Sequence, residues 1–422
     1  MNGSSGLKRG QVAGAAIGNA LEFYDFLAFS FFAVQIGRAF FPSTDPNASL
    51  LAALATFGVG FLMRPVGALV VGRLADRVGR KPAMVLSISL MGLSMGIMAI
   101  IPPYTRIGVW AGILAVACRM LQGFALGGEI GPSTALLVES APPGHRTLYT
   151  GFQFASQQIG VIASGVVGVS LANALPDAAM DAWGWRVAFL IGLAILPFGL
   201  YLRSRLTETL VERPAPAAPT PGAKAPATPG LVLVAILGLL LLAGGTTVNY
   251  LSNYMTTYAT HTLHMPTSLG FAATLAVGIG GLSGGIVGGM LGDRFGRRLW
   301  MILPCAFLVI ALAPMFMGIV ATRAAYALLG ASAAFAFANV MFSTNVLAEI
   351  SQRLPQRIRG QSLGLIYAVS ISVFGGSTQF IVAWLTIVTK SPLAPAWYAT
   401  AALAISLGAM MLLPKGDAAA KA

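Results

Sequence analysis

Long apolar runs, broken by short polar stretches, recur twelve times along this chain: 14–40, 49–72, 82–101, 109–139, 147–173, 185–203, 231–260, 267–291, 299–319, 323–350, 361–388 and 394–413. About 20 apolar residues carry an α-helix across the hydrocarbon of a bilayer. The longer runs predict tilted or overhanging helices. None alternates in the short segments that a membrane barrel requires. The pattern therefore predicts an all-α membrane protein of twelve transmembrane helices. The first run is too long for the apolar core of a leader peptide, contains acids and is followed by no small-residue cleavage site. It is expected to stay with the chain.

One stretch divides the runs. ERPAPAAPTPGAKAPATPG, 212–230, is rich in Pro and Ala and has no face with which to build a core. It reads as an extended linker. Six runs precede it and six follow, which predicts an N-terminal six-helix bundle over 1–205, a cytoplasmic linker over 206–230 and a C-terminal bundle over 231–422. The halves echo each other. GRLADRVGRK follows the second run and GMLGDRFGRR the eighth. The first copy holds Gly72, Asp76, Arg77 and Arg80, and the second Gly289, Asp293, Arg294 and Arg297. Glu139 ends the fourth run and Glu349 stands at the end of the tenth. The repeat predicts a gate in each half. Asp76 would cap the start of the third helix, the basic residues would reach Glu139, and the second copy would do the same with Glu349. Binding of anionic lipid, or a plain topology signal, would also use the basic residues. Neither needs the fixed Gly and Asp.

Composition agrees with a lipid solvent. Only 9% of residues are charged and the mean hydropathy is +0.79, against about 25% charged in a soluble domain. The net charge of +13 raises the question of a nucleic-acid partner. Loop placement answers it. With both termini cytoplasmic, 19 of the 26 Lys and Arg fall on the cytoplasmic side, as the positive-inside rule requires. No nucleic-acid partner is expected, and the chain is placed in the plasma membrane, the inner membrane of a bacterium, as a monomer. Cys118 and Cys305 both lie within runs and provide neither a disulfide framework nor a metal spacing. The dipeptide Gly-Lys never occurs, so a phosphate loop and ATP-driven transport are excluded. No metal or nucleophile constellation suggests an enzyme, and no cofactor is expected. Gly280, Gly281, Gly284, Gly285, Gly288 and Gly289 recur at spacings of four in the eighth run, which predicts close helix packing.

Five ionisable residues lie deep inside runs: Glu22, Asp25, Arg64, Arg119 and Glu129. Each costs about 2.5–3.5 kcal/mol at a helix centre, so chance placement is a poor explanation. All five are in the first half, where ion coupling is therefore expected. Counting about 1.5 Å per residue from the cytoplasmic ends puts Arg64 level with Glu129, and Asp25 near Arg119 closer to the midplane. Three acids then face two bases. Burial penalises the charged form of a carboxyl without a partner, and such a group can carry a proton. Glu22, Asp25, Glu129 and Arg64 are thus candidates for proton coupling; a static ion-pair network that packs the helices is the alternative. Polar stripes supply a candidate cavity: Gln153, Ser156 and Gln157 in the fifth run, Asn249 and Tyr250 in the seventh, Asn339 in the tenth. Asn19 shares the helical face of the first-run acids. His261 and His264 read as interfacial.

These landmarks carry a family resemblance. The doubled G-x-x-x-D-[RK]-x-G-R-[RK] loop resembles the signature of the major facilitator superfamily. GNALEFYDF, GFLMRPVG, RMLQGFALGGE and WGWR resemble its metabolite:proton symporter branch, and FQFASQQ and FGGSTQ are most similar to its citrate and tricarballylate symporters. Ala188 and Thr256 stand where that pattern has Pro. The resemblance implies two bundles that rock about a central site. It implies symport of a small carboxylate with protons, sodium being an alternative coupling ion. Arg119 would grip a carboxylate with its planar fork, and Asn19, Gln122, Gln153, Ser156, Gln157, Asn249, Tyr250 and Asn339 would bond the rest. A zwitterion such as betaine or proline is the alternative cargo, and a non-transporting membrane sensor the alternative role.

Overall fold

The computed structural model describes residues 9–127, 141–142, 144–204, 229–354 and 359–413. Over these residues the twelve predicted runs fall on helix. The first is α1 (Arg9–Phe31) with α2 (Ala33–Phe40), bent by 62°. The second is α3 (Pro46–Leu62) with α4 (Arg64–Val78). Then come α5 (Arg80–Ile100), α6 (Trp110–Gly127), α7 (Arg146–Ala174) and α8 (Trp185–Ser204). The linker lies outside the described residues up to 228, and α9 (Pro229–Thr257) opens the second half. It is followed by α10 (Thr267–Phe295), α11 (Arg297–Thr322), α12 (Ala325–Arg353), α13 (Arg359–Ser370), α14 (Gly376–Thr389) and α15 (Ala394–Leu412). Ten described helices are long and apolar enough to cross a membrane, and eleven with the α1–α2 pair counted as one.

Local chemistry sets several ends. Asp45 caps α3, its carboxylate accepting from the Asn47 amide at 2.9 Å, and Pro46 takes the first helical position, where no N–H is needed. The repeated loops turn at Gly79 (φ 123°) and Gly296 (φ 92°). That backbone conformation favours glycine, which explains why the repeat fixes a Gly between its basic residues. These two turns define the loop face of the molecule; the opposite side is the far face.

In the first half α6 packs on α3, α4 and α5, while α1 packs on α7 and α8. In the second, α12 lies between α10 and α11, and α9 lies against α15. The halves meet chiefly along α7 and α10. Glycine makes that approach close, as the spacing in the eighth run predicts. A Cβ at Gly281 would meet the Gln158 side chain at 2.7 Å, and one at Gly289 the Leu148 Cα at 2.6 Å. Gly280, Gly284 and Gly288 form the other face and lie on the backbone of α12 at Ala333, Phe337 and Met341. One helix thus presents two interleaved glycine rows, one to each neighbour.

These contacts fix opposite signs for two equal substitutions. A methyl at Gly284 would meet the Phe337 carbonyl carbon at 2.9 Å, whereas nothing lies within 4 Å at Gly318 of α11. Gly284→Ala is expected to destabilise by about 1–3 kcal/mol through overpacking. Gly318→Ala should be neutral or stabilise by up to about 1 kcal/mol through helix propensity. Thermal unfolding in detergent measures both. Equal shifts for the two variants would show that the α10–α12 contact is not tight.

Candidate functional site

The two buried arginines of the first half gather around one phenyl ring. Phe26 of α1 is fully buried, with the Arg64 guanidinium 4.5 Å from its ring centre and the Arg119 guanidinium 4.2 Å from it. Arg64 also lies over Phe61 at 4.3 Å, and Arg119 over Phe57 at 4.8 Å and Phe29 at 4.9 Å. Aromatic faces attract cations, and here they replace the water both groups have lost. Arg119 donates to the Phe26 carbonyl at 3.2 Å and to the Gln122 side chain. Its Nε and Nη2 have no hydrogen-bond partner among the described residues, and the guanidinium nitrogens of Arg64 have none beyond the Tyr250 hydroxyl. Tyr250 of α9 lies within electrostatic reach of both arginines.

The expected Asp25–Arg119 pair is not formed. Asp25 is buried at the same depth, but its carboxyl faces Gly192 of α8 and Met95 of α5, and it has no ion pair among the described residues. The reason is azimuth. Consecutive residues of a helix point about 100° apart, so when Phe26 faces the arginines, Asp25 faces away. Glu22 is also buried and holds an interaction of its own. Glu129, the expected partner of Arg64, lies outside the described residues, and so does Glu139.

The polar stripes divide in the same way. Asn19 donates to Ser156 Oγ at 2.7 Å and to the Gln153 carbonyl at 3.2 Å. These bonds tie α1 to α7, so Asn19 and Ser156 serve each other rather than the cavity. Gln157, Asn249, Tyr250 and Asn339 do line a central cavity, together with Thr246, Ser343 and Tyr367. Asn339 donates to the Gly245 carbonyl at 3.2 Å and keeps its own oxygen without a partner among the described residues. Gln153 lies outside this lining, with its amide nitrogen similarly unmet. The cavity holds about 30 Å³, room for water but not for a metabolite. Sequence reasoning missed Phe26, Tyr367 and Gln379. The last is fully buried in α14 and bonds Ser30 of α1 at 2.7 Å across the two halves. Its place in FGGSTQ was a visible signal; Phe26, an apolar residue in an apolar run, offered none.

At the loop face the second copy of the repeat is fully placed. Arg297 meets Glu349 at 3.1 Å, as expected, and Arg353 holds the other carboxylate oxygen at 2.8 Å. Arg294 lies over the Phe295 ring at 5.1 Å. Asp293 departs from expectation. It does not cap the next helix, α11, but reaches into the other half, where its two oxygens accept from the Thr147 and Leu148 amides, each at 2.9 Å. These are orphan donors in the first turn of α7, and a carboxylate there also meets the positive end of the helix dipole. Gly289, one turn earlier, lets α10 approach closely enough for this contact. In the first copy, Gly72 has open space around it, and the side chains of Asp76, Arg77 and Arg80 lie outside the described residues. At the far face Asn47 bonds His261 at 3.0 Å, again across the halves. The halves are therefore tied on both sides of a narrow cavity.

Comparison with known proteins gives this geometry relatives. The family model for the Major Facilitator Superfamily matches residues 16–378. A citrate-proton symporter of Klebsiella pneumoniae is 33% identical over 99% of this chain and 94% of that protein. The proline/betaine transporter of Escherichia coli K12 is 33% identical over 93% of this chain and 81% of its own length, and the alpha-ketoglutarate permease of the same strain 31% identical over 96% and 94%. Among solved structures, a D-xylose-proton symporter superposes with a TM-score of 0.76 over 96% of this chain and 97% of that one, at 16% identity.

The Asp293 contact predicts a measurable bias. Asp293→Asn keeps one acceptor but loses the charge facing the α7 dipole, worth about 0.3–1 kcal/mol and more when partly buried. Cys118 and Cys305 are buried, so a cysteine placed at Leu148 can report on the seam. Its labelling by a membrane-impermeant thiol reagent should speed up about two- to fivefold in the Asp293→Asn background. Uptake should fall more than substrate binding. An unchanged labelling rate would show that the cap does not hold the halves together.

Proposed function

This chain belongs to the Major Facilitator Superfamily, and on that premise we propose that it carries a small di- or tricarboxylate, citrate-like, in symport with protons. It is an integral membrane transporter and not an enzyme. The observation that carries the substrate reading is the pair Arg64 and Arg119, two buried guanidinium groups whose donors are met only in part, by Tyr250, Gln122 and the Phe26 carbonyl, among the described residues. An anion with more than one carboxylate matches two adjacent forks. A betaine would instead need free aromatic faces for its quaternary nitrogen, and those of Phe26, Phe57 and Phe61 are already covered by guanidinium groups. The polar wall of Gln157, Asn249, Tyr250 and Asn339 would hold the remaining oxygens, with Tyr250 between the cavity and the arginines. Relatives that carry citrate and alpha-ketoglutarate by name support the same class; the proline/betaine relative supports the alternative cargo.

Asp25 is the proposed proton carrier. It sits in the bundle with the arginines but is turned away from them, so protonation would act through α1 rather than by releasing Arg119. The distribution of basic residues supports an inner-membrane protein with the loop face in the cytoplasm. Alternating access would break the Asp293 tie on one side and the Asn47–His261 tie on the other.

Proteoliposomes test this directly. Labelled citrate should accumulate under an imposed proton gradient and not under a sodium gradient. Accumulation of proline or betaine in its place would overturn the carboxylate reading. Arg119→Lys should weaken citrate binding at least about tenfold, since a point charge does not reproduce the fork. Asp25→Asn should keep citrate counterflow and lose gradient-driven accumulation. Full accumulation by that variant would move the proton site elsewhere, to Glu22 or Glu129.

A further inference from the structure

A second cavity opens at the far face, about 730 Å³ in volume and lined by both halves. Four of its side chains are basic: His261 and His264 beyond α9, Arg323 at the end of α11 and Lys390 at the end of α14. No Asp or Glu lines it among the described residues. The charges around it are accounted for. Asp45 and Arg38 lie within electrostatic reach of His261, but Asp45 is engaged by the Asn47 amide and Arg38 by Asp181. Arg323 and Lys390 are exposed and form no ion pair among the described residues.

The backbone marks the same place. Among the described residues only three other than glycine have positive φ: His264 at 54°, Arg323 at 47° and Lys390 at 52°. All three line this cavity. Glycine takes that conformation without strain and is the usual residue there, so a basic side chain stands at each point in spite of its backbone. Cations do favour helix C-termini, and that alone could place one. It does not account for the distribution. The helices of the first half that end at the far face are capped by Phe41, Ile101 and Leu175. Among the described residues the basic C-caps, Arg323 and Lys390, both border the cavity.

We propose that this cavity is an anion-docking site for small polycarboxylates, separate from the central one. Arg323 supplies a planar fork, Lys390 a point charge and the histidines further donors. Its floor is Tyr254, one helical turn from Tyr250, which lines the central cavity. Two cations beside two imidazoles at a concave mouth raise the local concentration of an anion before it meets a narrower site. With the loop face in the cytoplasm, this mouth faces outward and captures incoming substrate. That role rests on the carboxylate reading above, whereas the binding site itself does not.

The test separates the two. Citrate is titrated calorimetrically into native protein, into Arg119→Ala, and into Arg119→Ala carrying Arg323→Gln and Lys390→Gln as well. Both outer side chains are exposed, and an unchanged melting temperature confirms that the variants fold. Citrate binding that remains in Arg119→Ala should weaken about tenfold or more on adding the outer substitutions and should weaken with added salt. In an otherwise native protein the outer pair of substitutions should raise the KM for citrate uptake several-fold at low salt, leaving kcat unchanged. Absence of residual binding, or residual binding indifferent to Arg323 and Lys390, would overturn the site. If native protein and Arg119→Ala bind citrate identically while the outer substitutions abolish that binding, the central carboxylate reading fails and this site stands.

Discussion

Two positive charges held in hydrocarbon set the terms for the first half of the molecule. Each buried guanidinium carries a penalty of a few kcal/mol at a helix centre, and two side by side repel. Among the described residues the groups that cover them are aromatic faces. Phe26 lies between the two groups, and Phe29, Phe57 and Phe61 cover their remaining faces. That cover requires α1, α3, α4 and α6 to converge, with Arg64 placed at the start of α4. A π face screens a cation but accepts few hydrogen bonds, so the donors stay partly unmet and an anion can still compete for them.

The seam between the halves has the opposite character. Along α7 and α10 it is a surface of small residues, and beside it aromatic contacts such as Phe32–Phe271 and Phe61–Tyr250 bridge the halves. Glycine rows on α10 bring backbones close, and few polar ties then decide which side is shut. Asp293 is one, bonded to two amides of α7, and Asn47–His261 is another. Such ties are worth little individually. That suits an element that must break and re-form on each cycle, since a seam held by large buried areas would not open.

How much of this could be read from the sequence depends on which coordinate is asked for. The all-helical class and the position of the runs on helices followed from run length, because hydrocarbon thickness is a hard constraint. Depth along a helix followed only in part: Asp25, Arg64 and Arg119 are all buried, but Arg64 and Arg119, expected at separate levels, share the Phe26 ring. Rotation about the helix axis did not follow. Asp25 and Phe26 are neighbours in sequence and point to different helices, and an all-apolar run has no polar face to fix its azimuth. The glycines of α10 were legible as packing residues, but their division between α7 and α12 was not. Asp293 was legible as a conserved position of the internal repeat, yet its partner belongs to the other half. No local signal names a contact across 146 residues of chain.

The same geometry suggests why binding and closure should be linked. Closing the cavity removes water from Gln157 and Asn339, and the buried arginines lie outside its lining, next to Tyr250. Donors without acceptors in a dry site cost about 1–3 kcal/mol each, and more when charged. A polycarboxylate supplies acceptors at those positions, so it stabilises the closed arrangement more than the open ones. A ligand shifts an equilibrium only by its difference in affinity between states, and here that difference grows with the number of donors it satisfies. A zwitterion with one carboxylate would satisfy fewer of the donors left unmet on Arg64 and Arg119. On the proposed carboxylate reading, substrate class and the ease of crossing the closed state would be set by the same two side chains.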